Sequence, residues 1–285
     1  MDALGFFGLV RARDDLHWSL PVVPQLCSGL GALFGGAGAG AAVEAMQRAT
    51  GRPVVWSTVQ YLSYARPPAV VDLAVTEIVR GHRSSQARVV ATVDGEEIFT
   101  VVAALGSRET AFAGSWSAPP DVPKPDACPR RPPLPHLVGT INDRLEIRLA
   151  DARPMEELPV HSTTGRSSLW VRVRDLELSA PALAIVGDYV PFGVIQLLGV
   201  DHEVNSLDNT LRVMHQRPIT PPSSWVLADI HVHAVRDGFG HGMVHLWTED
   251  GTLLATASQS TIVRARASER DDVRRAAEGT IEGGH

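Results

Sequence analysis

The chain of 285 residues is 44% hydrophobic and carries a formal net charge of −6 at pH 7, which allows a substantial core and argues against a general nucleic-acid partner. Cys27 and Cys128 are too few for a disulfide framework or a zinc cluster, and we find neither a signal peptide nor a charge-free run of membrane-spanning length. We therefore expect a cytoplasmic protein with no nucleic-acid partner and no membrane association.

The two halves of the chain read as copies of one another. Arg66-Pro67 is matched by Arg217-Pro218, 151 residues later, and Asp94-Gly95 is matched by Asp250-Gly251, 156 residues later. An internal repeat of this length predicts a fold built from two similar units. We predict an N-terminal domain, a Pro-rich linker, a C-terminal domain and a charged tail, with bounds 1–116, 117–139, 140–266 and 267–285.

Each copy begins with a segment of helical length. The first helix is predicted from about Leu33 to a stop at Gly51, where glycine favours the left-handed conformation that ends helices. The second is predicted after Pro181 and stops at Gly199. Pro191 lacks a backbone N–H and predicts a kink or break within this second helix.

Alternating strands follow the helices and the linker. Residues 143–149 and 168–178 alternate between apolar and polar side chains, as strands do. Asp237-Gly238 and Asp250-Gly251 are each flanked by alternating apolar residues, which predicts two hairpins.

The hairpins also predict a register. If each Asp-Gly pair is a two-residue loop, residue 233 faces residue 242, and residue 242 faces residue 259. His233 and Gln259 then flank Gly242 on one face of the sheet. A glycine between two polar side chains would leave a slot open to a water molecule or a reacting carbonyl group.

Several motifs together resemble the bacterial type II acyl-CoA thioesterases, and the resemblance covers nearly the whole chain. The motifs are Phe34-Gly35-Gly36, Ser206-Leu207-Asp208, the segment from Trp225, the run from Asp250 to Gln259, and Val263-Arg264. The resemblance implies an α+β fold of two fused hotdog domains, each an antiparallel sheet wrapped around a central helix. It also implies hydrolysis of medium- to long-chain acyl-CoA to a fatty acid and CoA, without a cofactor, by a homo-oligomer.

The family holds and activates water with an Asp, a Thr or Ser, and a Gln. By position, the resemblance places the Asp on Asp208, the Gln on Gln259 and the hydroxyl residue on His233, where this chain departs from the family. His233, oriented by Asp208, could act as a general base because its pKa is ordinarily near neutrality. Alternatively, another group supplies the hydroxyl, or the site has lost its activity.

The first half offers an internal comparison. The repeat places Ser57, Glu77 and Ala103 opposite Asp208, His233 and Gln259, and an alanine cannot replace a glutamine, so we expect one site per chain. Only the first copy has a glycine-rich helix start.

A helix N-terminus presents free N–H groups, so we predict that the amide of Gly36, or of a neighbour such as Gly35, polarises the thioester oxygen. The site would then lie between the halves. Alternatively, these glycines only permit close packing.

Other functions fit the sequence less well. Asp229, His231 and His233 share a strand face, but the predicted register puts His241 and His245 on the opposite face, so we predict no metal site. A hotdog hydratase would show an Asp and a His five residues apart, and this spacing does not occur in the chain. A noncatalytic protein that binds acyl-CoA or an acyl chain remains the alternative.

Overall fold

The computed structural model describes residues 1–160, 162–214 and 225–266, and the bounds below refer to these residues. The helices are α1 (Ala3–Phe7), α2 (Gly35–Thr50), α3 (Ala180–Gly187) and α4 (Val190–Leu198). The strands are β1 (Val10–Arg11), β2 (His17–Pro21), β3 (Val54–Tyr61), β4 (Val70–Arg80), β5 (Ser84–Val93), β6 (Glu96–Gly106), β7 (Leu145–Asp151), β8 (Arg166–Val173), β9 (His202–Ser206), β10 (Asp208–Val213), β11 (Val226–Arg236), β12 (Phe239–Trp247) and β13 (Leu253–Ala265). Arg217-Pro218 and the predicted charged tail, 267–285, lie outside the described residues.

All the described strands belong to one antiparallel sheet with an internal symmetry. Its order is β1-β2-β4-β5-β6-β3-β10-β13-β12-β11-β8-β7, and β9 pairs with β13. The order is the same on both sides of the central β3–β10 pair, where the side-chain oxygens of Thr58 and Thr210 lie 2.9 Å apart. The structure therefore contains two copies of one unit, each a sheet with a helix against it, as expected for fused hotdog domains.

Helix α2 is built from small residues because another helix lies close against it. A Cβ atom added at Gly36 would lie 2.9 Å from the carbonyl oxygen of Ala184, and one added at Gly40 would lie 2.8 Å from that of Pro181. Only glycine allows this approach between α2 and α3. The helix ends as predicted, at Gly51 with a φ of 67°.

The predicted break in the second helix is confirmed. Residues 180–198 are apolar and long enough to cross a membrane by length and composition, but 72% of the segment is buried as the core helix pair α3 and α4. The two helices separate at Asp188 and Tyr189, just before Pro191, whose missing N–H is tolerated in the first turn of α4. The side-chain amide of Asn209 donates to the Gly187 carbonyl at 3.1 Å, which fixes the end of α3.

In the β12–β13 hairpin the predicted register is correct from Phe239 to Leu246. In the β11–β12 hairpin it is correct from Ala234 to Arg236 and is wrong by one residue from Val232 back to Leu227. Gly242 faces Gln259, as expected, but Val232 rather than His233 faces Gly242. A bulge in β11 between Val232 and Ala234 inserts one extra residue and moves His233 out of register. The strand predicted over 168–178 also ends early, at Val173, because Asp175 adopts a turn conformation with a φ of 61°.

The proline-rich segment after β6 lies along the second half of the sheet. The indole nitrogen of Trp170 donates to the carbonyl of Pro123 at 2.8 Å, and the Arg131 amide donates to the carbonyl of Ile147 at 3.0 Å. The segment thereby covers a small apolar cluster that is separate from the main core and consists of Cys128, Trp170, Trp225, Leu227 and Trp247.

Candidate active site

A cavity of about 480 Å³ lies between the two halves of the chain, within the size range of small-molecule sites. The first half contributes Gly35 and Tyr61 to its lining, and the second contributes Asp188 and Ser206. Its apolar lining includes Leu33, Phe34, Leu145, Phe192, Ile195 and Ile262. The predicted position of the site, between the halves, therefore coincides with this cavity.

Asp188 is the central polar group of the cavity. Its side chain is buried at the break between α3 and α4, where the chain turns towards the first half. One carboxylate oxygen accepts the backbone N–H of Gly36 at 2.6 Å. The other accepts the hydroxyl of Ser206 at 3.2 Å and the side-chain amide of Gln259. Three donors from different elements thus hold one carboxylate.

Gln259 is fully buried and is held at both ends of its amide group. Its Oε1 accepts the backbone N–H of Val190 at 3.3 Å, so Nε2 is directed towards Ser206 Oγ at 2.7 Å and towards Asp188. The predicted open slot at Gly242 is wrong, because a Cβ atom there would lie 3.0 Å from Val190 Cγ1. The space that glycine leaves is occupied by the first turn of α4.

The surroundings of Asp188 set its ionisation. Burial raises the pKa of Asp188 to about 6, while hydrogen bonds from Gln259, Gly36 and Ser206 oppose the rise by stabilising the carboxylate. A carboxylate with a pKa near 6 is ionised at neutral pH and still takes up a proton readily. It therefore meets the requirements of a general base.

Asp208 lies beside the cavity lining and not in it. Its carboxylate accepts the backbone N–H of Ser260 at 2.7 Å, which links the start of β10 to β13. The side chains in hydrogen-bond contact with Gln259 are Asp188 and Ser206. The structure thus gives Asp208 a contact to the backbone, and the carboxylate beside the predicted glutamine is Asp188.

The structure does not bring His233 to Gln259. The His233 side chain is exposed at the bulge, and its ring packs against His231 and His241, with centroids 4.6 Å and 5.2 Å away. Desolvation, together with these two histidines, lowers its pKa. The bulge also places His241 beside His233, so the predicted separation onto opposite faces is wrong. Across the part of the chain that the structure describes, no three His, Cys, Asp or Glu side chains are arranged to hold a metal ion.

The helix start of α2 has a different role from the one predicted. The Gly36 amide, expected to meet the thioester oxygen, donates instead to Asp188. Gly35 lines the cavity at the first helical position, where N–H groups have no acceptor within the helix. Both glycines also permit close packing, which is the alternative given for them above.

Sequence reasoning missed Asp188 and Ser206. Asp188 is the one charged residue between residues 180 and 198, and an isolated charge in an apolar core segment is costly unless it is paired or functional. This signal was available in the sequence. Ser206 lies two residues before Asp208 in the Ser-Leu-Asp motif, but only the aspartate was assigned a role.

Comparison with known proteins identifies the family of this chain. Residues 119–263 match the family model described as the acyl-CoA thioesterase C-terminal domain, which is just over half of the chain. The chain belongs to the acyl-CoA thioesterase family. A comparison with curated proteins gives no match.

Solved structures extend the agreement to the fold of the whole chain. A candidate thioesterase from Novosphingobium aromaticivorans is 34% identical with a TM-score of 0.78, covering 90% of this chain and 98% of its own. A hotdog-fold protein of unknown function from Alicyclobacillus acidocaldarius is 20% identical, with a TM-score of 0.77 and coverage of 91% and 96%. An acyl-CoA thioesterase II from Mycobacterium marinum is also 20% identical, with a TM-score of 0.72 and coverage of 93% and 99%. The last two show the shared hotdog fold, and the predicted fold class is confirmed.

In the present chain, Asp188 and Ser206 line the cavity, and the fully buried Gln259 side chain is hydrogen-bonded to both of them. These are the residue types that the sequence resemblance implied. Ser206 carries the hydroxyl group in contact with both Asp188 and Gln259, whereas the resemblance placed the hydroxyl residue at His233.

Proposed function

We propose that this chain hydrolyses acyl-CoA to a carboxylic acid and CoA, with Asp188 as the general base. The observation that supports the proposal most directly is the buried Asp188 carboxylate, joined to Ser206 and Gln259 at the wall of the cavity. Its pKa of about 6 suits proton transfer at neutral pH.

In the proposed reaction, Asp188 takes a proton from a water molecule as the water oxygen attacks the thioester carbonyl carbon. The carbon–sulfur bond then breaks, and the CoA thiolate takes the proton back from Asp188. Gln259 and Ser206 orient the carboxylate and the water. The Gln259 amide is suited to this role because Val190 fixes its orientation.

The lining of the cavity fits an acyl-CoA substrate. Phe34, Phe192 and Ile195 offer an apolar surface to an acyl chain, and we propose a medium to long chain on this basis. Arg131 and Arg264 line the same cavity and supply positive charge for the phosphate groups of CoA.

The test is the release of free thiol from a series of acyl-CoAs of increasing chain length. Asp188→Asn should lower kcat by about 10²- to 10⁴-fold, the usual contribution of a general base. Ser206→Ala should also lower kcat. His233→Ala is the matched control, since its exposed ring lies outside the cavity, and it should retain the wild-type rate.

Two outcomes would contradict the proposal. Loss of turnover in His233→Ala with full activity in Asp188→Asn would return the catalytic role to the histidine. Measurable binding of acyl-CoA without turnover by the wild-type protein would support the alternative, a noncatalytic acyl-CoA-binding protein on the same scaffold.

A further inference from the structure

The hydroxyl group of Tyr61 is buried and has no hydrogen-bond partner in the described part of the chain. Buried polar groups in proteins are nearly always paired, so an unpaired one needs an explanation. Tyr61 ends β3, in the first half of the chain, and its side chain lines the cavity. Its unpaired O–H group is therefore a candidate hydrogen-bond donor to a molecule that enters the cavity.

The position of this hydroxyl is defined by its neighbours. A Cβ atom added at Gly35 would lie 2.9 Å from the Tyr61 hydroxyl oxygen and 2.8 Å from Asp188 Oδ2. The phenol, the proposed base and the first backbone amide of α2 thus surround one small volume. Glycine keeps that volume free of protein atoms.

The Tyr61 hydroxyl is suited to donate a hydrogen bond and not to lose its proton. Burial first, and then the nearby Asp188 and Asp208 carboxylates, raise the pKa of Tyr61 well above its usual value. The phenol stays neutral at physiological pH, so it keeps its proton and offers it to an acceptor. A carbonyl oxygen is such an acceptor, and it accepts more strongly as negative charge develops on it.

We propose that Tyr61 is a catalytic residue whose O–H, together with the Gly35 N–H, binds the thioester carbonyl oxygen and stabilises the oxyanion formed by water attack. This proposal rests on the proposed hydrolysis. The negative charge appears on the carbonyl oxygen as the new carbon–oxygen bond forms. When the carbon–oxygen double bond re-forms and the carbon–sulfur bond breaks, the charge leaves on the thiolate sulfur. Tyr61 donates a hydrogen bond throughout and transfers no proton.

This assignment also explains why the amide of Gly36 is not needed for the thioester. The Gly36 N–H already donates a hydrogen bond to Asp188, whereas Gly35 is one residue nearer the helix start and lines the cavity. The positive end of the sixteen-residue helix α2 adds to the stabilisation of a negative oxygen.

The test is Tyr61→Phe, which removes one oxygen atom and keeps the ring in the cavity wall. We expect kcat to fall by about 10²-fold, the usual cost of one lost oxyanion donor, with KM changed little. The melting temperature should stay the same or rise, because the hydroxyl has no partner to lose. Ser84→Ala removes an exposed hydroxyl group that lies outside the cavity lining, and it should leave both kcat and the melting temperature unchanged.

The outcomes separate this proposal from the proposed function. Full kcat in Tyr61→Phe, alongside a wild-type enzyme whose turnover depends on Asp188, would overturn the role of Tyr61 alone. A lower melting temperature with unchanged kcat would show a structural hydroxyl and would also overturn it. Absence of turnover in the wild-type protein would instead refute the hydrolase function itself.

Discussion

At the scale of single residues, Asp188 has an environment that is rare for a carboxylate. It is an acidic side chain in the middle of an apolar helix pair, and burial alone would strongly disfavour its charge. Donors from α2, β9 and β13 offset part of that cost. The remaining cost appears as a raised pKa, which is the property that a base at neutral pH requires.

The raised pKa predicts the pH dependence of turnover. Asp188 accepts a proton only when it is ionised, so kcat/KM should rise with pH through about 6 and level off above it. The measurement is the rate of thiol release between pH 4.5 and 8, with stability checked at each pH. A profile that is flat across pH 6, or one that falls there, would exclude Asp188 as the base.

Part of this residue-level picture was predictable from the sequence. Gln259 was identified through its motif and through its predicted position opposite Gly242. The structure confirms that Gly242 and Gln259 are paired. Ser206 and Asp188 were missed because their contact depends on the break between α3 and α4, which brings residues 18 and 71 positions apart in the chain to one carboxylate. A local pattern does not encode that geometry.

At the scale of elements, α2 shows why a helix can need glycine. Four of its first six residues are glycine, and the first two serve different purposes. Gly35 leaves space beside Asp188 and Tyr61, whereas Gly36 allows the backbone of α3 to approach. These glycines lower the intrinsic stability of the helix, since each interior glycine costs up to about 1 kcal/mol relative to alanine.

Substitution within α2 separates the two effects. Gly35→Ala should lower kcat by about 10²-fold, because its Cβ would lie 2.8 Å from Asp188 Oδ2 and displace the carboxylate. Gly38→Ala is the matched control, since its Cβ would meet the edge of the Phe99 ring at 3.1 Å and Leu33 Cδ2 at 3.4 Å, and neither Asp188 nor Tyr61. We expect Gly38→Ala to retain activity and a melting temperature close to that of the wild type. Equal activity in both variants would show that the space at Gly35 is not required.

Element boundaries were predicted better than strand registry. Gly51 and Pro191 act through the local backbone, so the helix end and the helix break follow from the sequence. The bulge at His233 is set by how β11 packs against its neighbours, and one inserted residue reverses every assignment beyond it. A comparable irregularity occurs between Glu77 and Val79 in β4, the matching strand of the first half.

At the scale of the whole molecule, the two halves share one sheet and one main apolar core. The central β3–β10 pair makes the sheet continuous, and the main apolar core contains buried residues from both halves. Helices α2 and α3 are in direct contact across the same boundary. Neither half could separate without exposing a sheet edge and a large apolar surface.

This continuity predicts a single cooperative unfolding transition. Denaturant titrations followed by tryptophan fluorescence and by circular dichroism should give coincident curves, as they do for two-state proteins. The Pro-rich segment should not divide the chain into independent domains, because it is bound to the sheet at Trp170 and Ile147. Two separated transitions would show that the halves are autonomous.

The pairing of unlike halves across the central strands has a consequence for how such a protein can change. In a dimer of identical chains, every substitution appears twice, and a group needed on one side must be tolerated on the other. Here Ala103, buried in β6, lies in the strand that mirrors the strand of Gln259, and each position is encoded separately. A mutation that adapts one half to bind water and the other to bind a carbonyl oxygen therefore carries no penalty at a duplicate position.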